Sequence, residues 1–321
     1  MKSYLNNTIV NTTDSEIESG NKYRDKLNPY FITGFSDAES SFLIGSYKDD
    51  KRKTGWIVAL EFTIVLHEKE EILLEAIRNF FSGVGIVKKV NNNLIRYQVR
   101  SINDLAIIIA HFDQYPLISQ KWSDYQLFRQ AFQIVNRKEH LSIEGLKKIL
   151  SLKASMNKGG LSDKLKGALP NIIPVQRPLS ELPTNISPYW LAGFITGEGC
   201  FFINIYKATT KLGFAVTLVF QVTQHSRDIE LMKRLISFFE CGRYALRSNK
   251  DYGDFLVTTF SDIYDKILPF FQKYEIKGAK ADDFADFCKA AEIIKAKGHL
   301  TSDGLNKLLD LKEGMNKKRL F

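Results

Sequence analysis

The feature that most constrains this chain is that it is written twice, at an offset of 159 residues. Asn28-Pro29-Tyr30-Phe31-Ile32-Thr33-Gly34-Phe35-Ser36-Asp37-Ala38-Glu39-Ser40-Ser41-Phe42 returns as Ser187-Pro188-Tyr189-Trp190-Leu191-Ala192-Gly193-Phe194-Ile195-Thr196-Gly197-Glu198-Gly199-Cys200-Phe201. Nineteen of the forty-seven positions from 112 to 158 are identical to 271 to 317 without a gap, where roughly three would match by composition alone. Lys121 with Lys280 and His140-Leu141 with His299-Leu300 are among them. A period this long describes two duplicated domains, not a solenoid. The 321 residues therefore divide into a polar tail (1–27), a first domain (28–158), a linker (159–186) and a second domain (187–321). Gly159, Gly160, Pro170, Pro174, Pro178 and Pro183 give the linker the composition of partly extended chain.

Each copy reads alike locally. Asn28 and Ser187 suit N-caps, and each precedes a proline at the first helical position. A short helix therefore starts at Pro29 and another at Pro188, each ending near its glutamate, just before a strand. Strands are expected at 42–47, 56–66, 85–90 and 94–100, and again at 201–206, 213–223, 242–247 and 254–260. Apolar residues at helical spacing predict helices at 68–81 and 226–239. Further helices are expected at 102–113, 120–137 and 142–155, and at 262–273, 279–296 and 301–314. Each copy is thus an α+β domain of order αββαββα, one antiparallel sheet with helices on one face.

The other sheet face has to be accounted for. In 94–100 and 243–247 basic and polar residues interleave with apolar ones, so one face is core and the other is polar and basic. The hairpin tips are basic too, with Lys48, Lys51, Arg52 and Lys53 in one copy and Lys207 and Lys211 in the other. Two such faces in a chain of net charge +9 form a saddle for a polyanion, with Arg96, Arg100, Arg243 and Arg247 on it. Cys200, Cys241 and Cys288 are odd in number and lack C-x-x-C spacing, which points to a reducing compartment without a disulfide framework. No apolar run reaches transmembrane length, so no membrane partner is expected. Residues 1–20 lack the apolar stretch of a signal peptide.

The segments Thr33-Gly34-Phe35-Ser36-Asp37-Ala38-Glu39-Ser40-Ser41-Phe42 and Ala192-Gly193-Phe194-Ile195-Thr196-Gly197-Glu198-Gly199-Cys200-Phe201 resemble the two signature motifs of the LAGLIDADG homing endonucleases in their monomeric, two-repeat form. The resemblance runs from Asn28 to the C-terminus and looks nearest to fungal mitochondrial intron-encoded members. It implies motif helices at the domain interface and two sheets forming a DNA-binding saddle. It also implies metal-binding carboxylates at Glu39 and Glu198, with the carbonyls of Ala38 and Gly197 as further ligands. Lys121, Lys280 and Gln224 are implied as pocket residues that stabilise charge or order water.

Physical chemistry supports the two glutamates separately. A carboxylate at a helix C-terminus is disfavoured by the dipole by roughly 0.3–1 kcal/mol, and two repeat-equivalent ones imply a cation that meets them. Carboxylate and free carbonyl oxygens together suit Mg²⁺ or another hard divalent ion such as Mn²⁺, with Ca²⁺ expected to bind without supporting cleavage. For one glutamate from each copy to reach a common centre, the two helices must approach closely. Thr33, Gly34, Ala38, Ala192, Gly193 and Gly197 supply small residues for that contact. Asp37 ranks below the glutamates, because Thr196 stands at its repeat position. Ser40 opposite Gly199 and Leu66 opposite Gln224 predict an asymmetric pocket. Lys121 and Lys280 are cations at helix starts, where the dipole disfavours them. The histidines His67, His140, His225 and His299 read as turn, cap or packing residues rather than metal ligands.

The expectation is a monomeric, site-specific, divalent-metal-dependent DNA endonuclease acting on a long pseudo-palindromic duplex. An intron RNA maturase of the same fold, with host intron RNA as partner, is the alternative, and a non-catalytic DNA-binding protein is a third reading. The glutamates favour the nuclease over both. Abundant Asn, Lys, Ile and Phe suit an organellar gene, and a mitochondrial location follows from the resemblance.

Overall fold

The structure, a computed structural model, describes residues 27–156 and 160–316. Most of the polar tail lies outside the described residues. The first copy runs α1 (Pro29–Glu39), β1 (Ser40–Lys48), β2 (Trp56–His67), α2 (Glu71–Phe80), β3 (Ile86–Asn91), β4 (Leu94–Val99), α3 (Ile102–Gln114), α4 (Lys121–Asn136) and α5 (Ile143–Ser155). After α6 (Asp163–Ala168) the second copy repeats it. It runs α7 (Pro188–Glu198), β5 (Gly199–Lys207), β6 (Phe214–His225), α8 (Ile229–Phe239), β7 (Arg243–Leu246) and β8 (Tyr252–Val257). Then come α9 (Phe260–Asp262), α10 (Leu268–Lys273), α11 (Lys280–Lys295) and α12 (Ser302–Gly314). Both sheets are four-stranded and antiparallel, in the orders β1-β2-β4-β3 and β5-β6-β8-β7.

The two cores are copies as well. The Phe42 ring packs against Phe62, Phe112, Tyr125 and Phe128. In the second copy Phe201 packs against Phe220, Phe271, Phe284 and Phe287. Each such fully buried ring contributes on the order of 2–3 kcal/mol of hydrophobic stabilisation. Alternation along β1 explains the layering, because Phe42 and Ile44 face the helices while Ser41 and Leu43 point to the open face.

The seam between the copies is made by α1 and α7. Residues Phe31 to Asp37 and Trp190 to Thr196 are all buried, which a surface helix would not show. Gly34 and Gly193 make the approach possible. A Cβ on Gly34 would run into the Trp190 carbonyl, and one on Gly193 into the Phe31 carbonyl. Gly197 lies against Ala38 and Glu39 in the same way.

Three local expectations need correction. Asn28 caps α1 by accepting from the Tyr30 amide at 2.9 Å, but the Ser187 hydroxyl makes no cap bond, and Pro188 starts α7 without it. The helix expected at 262–273 is not continuous. A π turn at Ile263–Ile267 interrupts it, and the Leu268 amide donates to the Ile263 carbonyl. Pro269 explains this: it has no N–H and its ring would strike the Asp265 carbonyl in a regular helix, whereas Ala110 at the repeat position leaves α3 regular. The segment after the first copy is also more folded than its composition suggests. Leu161 and Leu165 are buried with Leu146 and Leu150. Arg177 donates to the Asp124 carboxylate at 2.5 Å and to the Gln120 and Ser155 carbonyls at 3.1 Å each.

Candidate active site at the domain seam

Glu39 ends α1 and Glu198 ends α7, and both side chains are half-buried where the two helices meet. Burial raises the Glu39 carboxyl above its usual range, opposed first by the Lys280 charge and then by Lys121. Burial, with the charge of Glu39 added, pushes Glu198 up to about 6, opposed by a hydrogen bond from Gln224 and by both lysines. Each glutamate therefore feels the lysines of both copies, so the site is a single shared centre. Ser40 and Gly199, which follow the glutamates, differ in sequence but not in backbone. Ser40 has φ −86° and ψ 163°, Gly199 φ −72° and ψ 152°.

Lys121 and Lys280 open α4 and α11, the positions that the dipole disfavours. Their targets account for the placement. The Lys121 ammonium donates to the Ser36 and Ala38 carbonyls at 2.9 and 3.2 Å. Lys280 donates to the Ile195 and Gly197 carbonyls at 3.2 and 2.5 Å. These carbonyls belong to the last turns of α1 and α7, so each lysine meets the negative end of a seam helix. Burial lowers Lys121 to about 8 against the pull of Asp37, Glu39 and Glu198, and it lowers Lys280 as well.

Asp37 has a structural place. It is 4% exposed and accepts from the Ile118 amide at 3.0 Å, the Ser119 amide at 3.3 Å, the Ser119 hydroxyl at 2.5 Å and Trp190 Nε1 at 2.8 Å. It ties the loop before α4 to both seam helices. Thr196, its counterpart, accepts from the Lys277 amide at 3.3 Å, a weaker version of the same tie. Leu66 lines the pocket beside Glu39, whereas Gln224 bonds Glu198, which makes the two halves of the site unequal.

The expected DNA-contacting side chains fall into two sets. Lys51, Lys53, Lys207, Lys211 and Arg243 are exposed. Others are already paired: Lys48 with Asp50 at 3.0 Å, Arg52 with Asp49 at 3.4 Å, Arg100 with Glu61 at 2.7 Å and Arg247 with Asp254 at 2.7 Å. Arg96 is half-buried on the open face, and its Nε has no hydrogen-bond partner among the described residues. The open faces are therefore less purely basic than the sequence pattern implies, and that of the first copy also presents Leu43, Ile86 and Leu94. His67 and His225 cap the turns after β2 and β6, accepting from Lys69 and Arg227 amides at 3.3 and 3.2 Å. His140 and His299 sit in short turns before α5 and α12, away from the glutamates in the fold.

Two acids beside the site escaped sequence reasoning. Glu70 accepts from the Ala279 amide at 3.1 and 3.2 Å, and Asp228 accepts from the Gln120 amide at 2.8 Å. Their offset is 158, as for Leu66 and Gln224, because the second hairpin is one residue shorter, and an acid before a helix carries no mark of a partner in the other copy.

Among the described residues no group of three or more His, Cys, Asp and Glu is arranged to hold a metal ion. The donors at the seam are instead two carboxylates and the carbonyls of two helix ends. That all-oxygen set fits a hard divalent cation and does not fit a soft one. A family model described as LAGLIDADG endonuclease matches residues 32–132 and again 191–291, from seam helix to lysine helix in each copy. The chain belongs to the LAGLIDADG endonuclease family.

This LAGLIDADG chain is 42% identical over 301 residues to the probable intron-encoded endonuclease 2 of Neurospora crassa, covering 90% of the chain but 65% of that protein. Over 118 residues it is 48% identical to a 50.9 kDa protein in ND4 intron 1 of Podospora anserina, covering 36% of the chain and 26% of that protein. It thus spans less than two thirds of the length of either relative. Among solved structures it is similar to the I-SmaMI LAGLIDADG homing endonuclease bound to cleaved DNA. The TM-score is 0.89 at 45% identity, over 92% of this chain and 99% of that one. The same neighbour has been seen bound to its uncleaved DNA target in the presence of calcium ions, with a TM-score of 0.89.

Proposed function

We propose that this protein is a site-specific double-strand DNA endonuclease that hydrolyses phosphodiester bonds at the seam, with Glu39 and Glu198 holding Mg²⁺. The observation that carries this reading is the pair of half-buried carboxylates at the C-terminal ends of two helices in contact. Each sits in a place that costs stability unless a cation meets it. The carbonyls of Ala38 and Gly197 complete the oxygen donors. When bound, a hard divalent cation stabilises negative charge on the phosphate and makes water a stronger nucleophile.

The chain's own residues supply the rest. The ammonium groups of Lys121 and Lys280 lie at the seam beside the carboxylates, where positive charge offsets the charge that develops on a cut phosphate. Gln224 orients Glu198, and Leu66 keeps the Glu39 side drier. The two open sheet faces take the DNA, one half-site each, with Arg96, Arg100, Arg243 and Arg247 toward base edges and phosphates. Lys48, Lys51, Arg52, Lys53, Lys207 and Lys211 at the hairpin tips hold the flanks. The protein acts as a monomer on a long pseudo-palindromic site and works in the mitochondrion, a reading that its likeness to intron-encoded proteins supports.

The test is cleavage of a supercoiled plasmid carrying the uninterrupted form of the sequence that flanks this reading frame. Wild type should linearise it with Mg²⁺ and leave it intact in chelator. Glu39→Gln and Glu198→Gln should each slow cutting about 1000-fold or more. Unchanged cutting by either variant would sink the proposed chemistry.

A further inference from the structure

Lys121 and Lys280 each belong to one copy, yet neither is held in place by its own copy alone. Asp228 of the second copy accepts at 2.8 Å from the amide of Gln120, the residue before Lys121. Glu70 of the first copy accepts at 3.1 and 3.2 Å from the amide of Ala279, the residue before Lys280. The pattern is reciprocal, joining residues 108 apart in one case and 209 in the other. A carboxylate at a helix N-terminus is favoured by the dipole, and here it offsets the cation that opens the same helix. Local sequence shows that the cradle is built for it. Gly278 has φ +66°, and a Cβ there would overlap the Glu70 carboxylate. At the repeat position stands Ser119, whose hydroxyl is turned to Asp37, and there the partner is the shorter Asp228. Asp228 is buried and Glu70 half-buried, and neither is among the donors assigned to the cation.

We infer that Glu70 and Asp228 are cross-domain positioning residues: each copy sets the active lysine of the other. The inference rests on the nuclease reading and extends it, because neither half then carries a competent lysine by itself. A helix start released by loss of its acid drifts away from the seam carbonyls, and displacement on the order of 1 Å at a reacting centre can cost about 100-fold in rate.

The experiment uses the full chain and a duplex target labelled on both strands. Single-turnover cleavage is followed strand by strand with Mg²⁺, and affinity is measured separately with Ca²⁺. Glu70→Ala should slow one strand about 10- to 100-fold and Asp228→Ala the other, so that opposite nicked intermediates accumulate while affinity stays within about two-fold. Glu70→Gln and Asp228→Asn keep an acceptor oxygen and should recover most of the rate. Amide hydrogen exchange of the uncomplexed protein supplies a second readout. Exchange at Gln120 should rise in Asp228→Ala and not in Glu70→Ala, with the reverse at Ala279. Equal slowing of both strands, a rate loss explained by affinity, or amides that do not respond to the opposite copy's acid would overturn the inference. If wild type cuts nothing but the amides respond as stated, the nuclease reading fails while the cross-domain hold stands.

Discussion

His111 shows how much a single side chain reports about this fold. It is 8% exposed, surrounded by the rings of Phe80, Phe81, Phe112 and Tyr115, and its Nε2 meets the Thr33 hydroxyl of α1 at 3.1 Å. Burial lowers its pKa to about 4 from 6.5. Unfolded chain therefore takes up the proton first, and stability present above pH 6.5 is lost as the pH falls toward 4. Asp37 pulls the other way. Its carboxyl is raised to about 6 by burial, so folding favours its protonated form as the pH drops from 6 toward 3.8. The net slope is partly cancelled, and the comparison that isolates His111 is wild type against His111→Gln in urea at pH 7 and pH 5. The variant should lack a component of up to about 1.4 kcal/mol per pH unit, and parallel curves for the two proteins would refute the assignment.

At the scale of elements, the seam helices set the tolerances of the site. Gly193→Ala places a methyl group against the backbone of Phe31 and Phe35, neither of which can swing aside as a side chain can. It should cost about 2–3 kcal/mol in denaturant unfolding. It should also slow cleavage about 100-fold through displaced carboxylates, with DNA affinity changed far less. Gly167→Ala in α6 is the matched comparison, since nothing lies within 4 Å of its added Cβ. It should be neutral or stabilise by about 0.5–1 kcal/mol. Equal effects from the two substitutions would show that close helix approach is not what Gly193 provides. The seam was legible in the sequence because small residues recur at both copies of one motif. The π turn was not, since Pro269 can end, kink or widen a helix, and packing around it decides which.

For the whole molecule, a net charge of +9 predicts strongly salt-dependent DNA affinity. With roughly 6–10 phosphate contacts, affinity in Ca²⁺ should fall about 10³- to 10⁵-fold between 50 and 200 mM salt. Arg100→Ala and Arg247→Ala should flatten that slope less than Lys51→Ala or Lys207→Ala. Their guanidinium groups are already engaged by Glu61 and Asp254, which leaves them fewer counterions to release. Titration of binding against salt for the four variants decides the ranking. The seam is symmetric in backbone and unequal in chemistry. Asp37 stands against Thr196 and Gln224 against Leu66, so cleavage of the two strands need not proceed at one rate.

Sequence by itself determined that there are two copies, where each motif helix begins and ends, and that two glutamates stand at paired helix ends. Those features are local or periodic, carried by caps, prolines, alternation and repetition, and one chain read end to end displays them. Only tertiary structure decided what the lysines face and which arginines are already paired. It also decided that an acid from each copy secures the other's lysine helix. Lys121 reaches the Ser36 carbonyl across 85 residues of chain, and Glu70 reaches Ala279 across 209. Pairings over such separations are set by how two folded halves dock, and they leave no pattern along the chain.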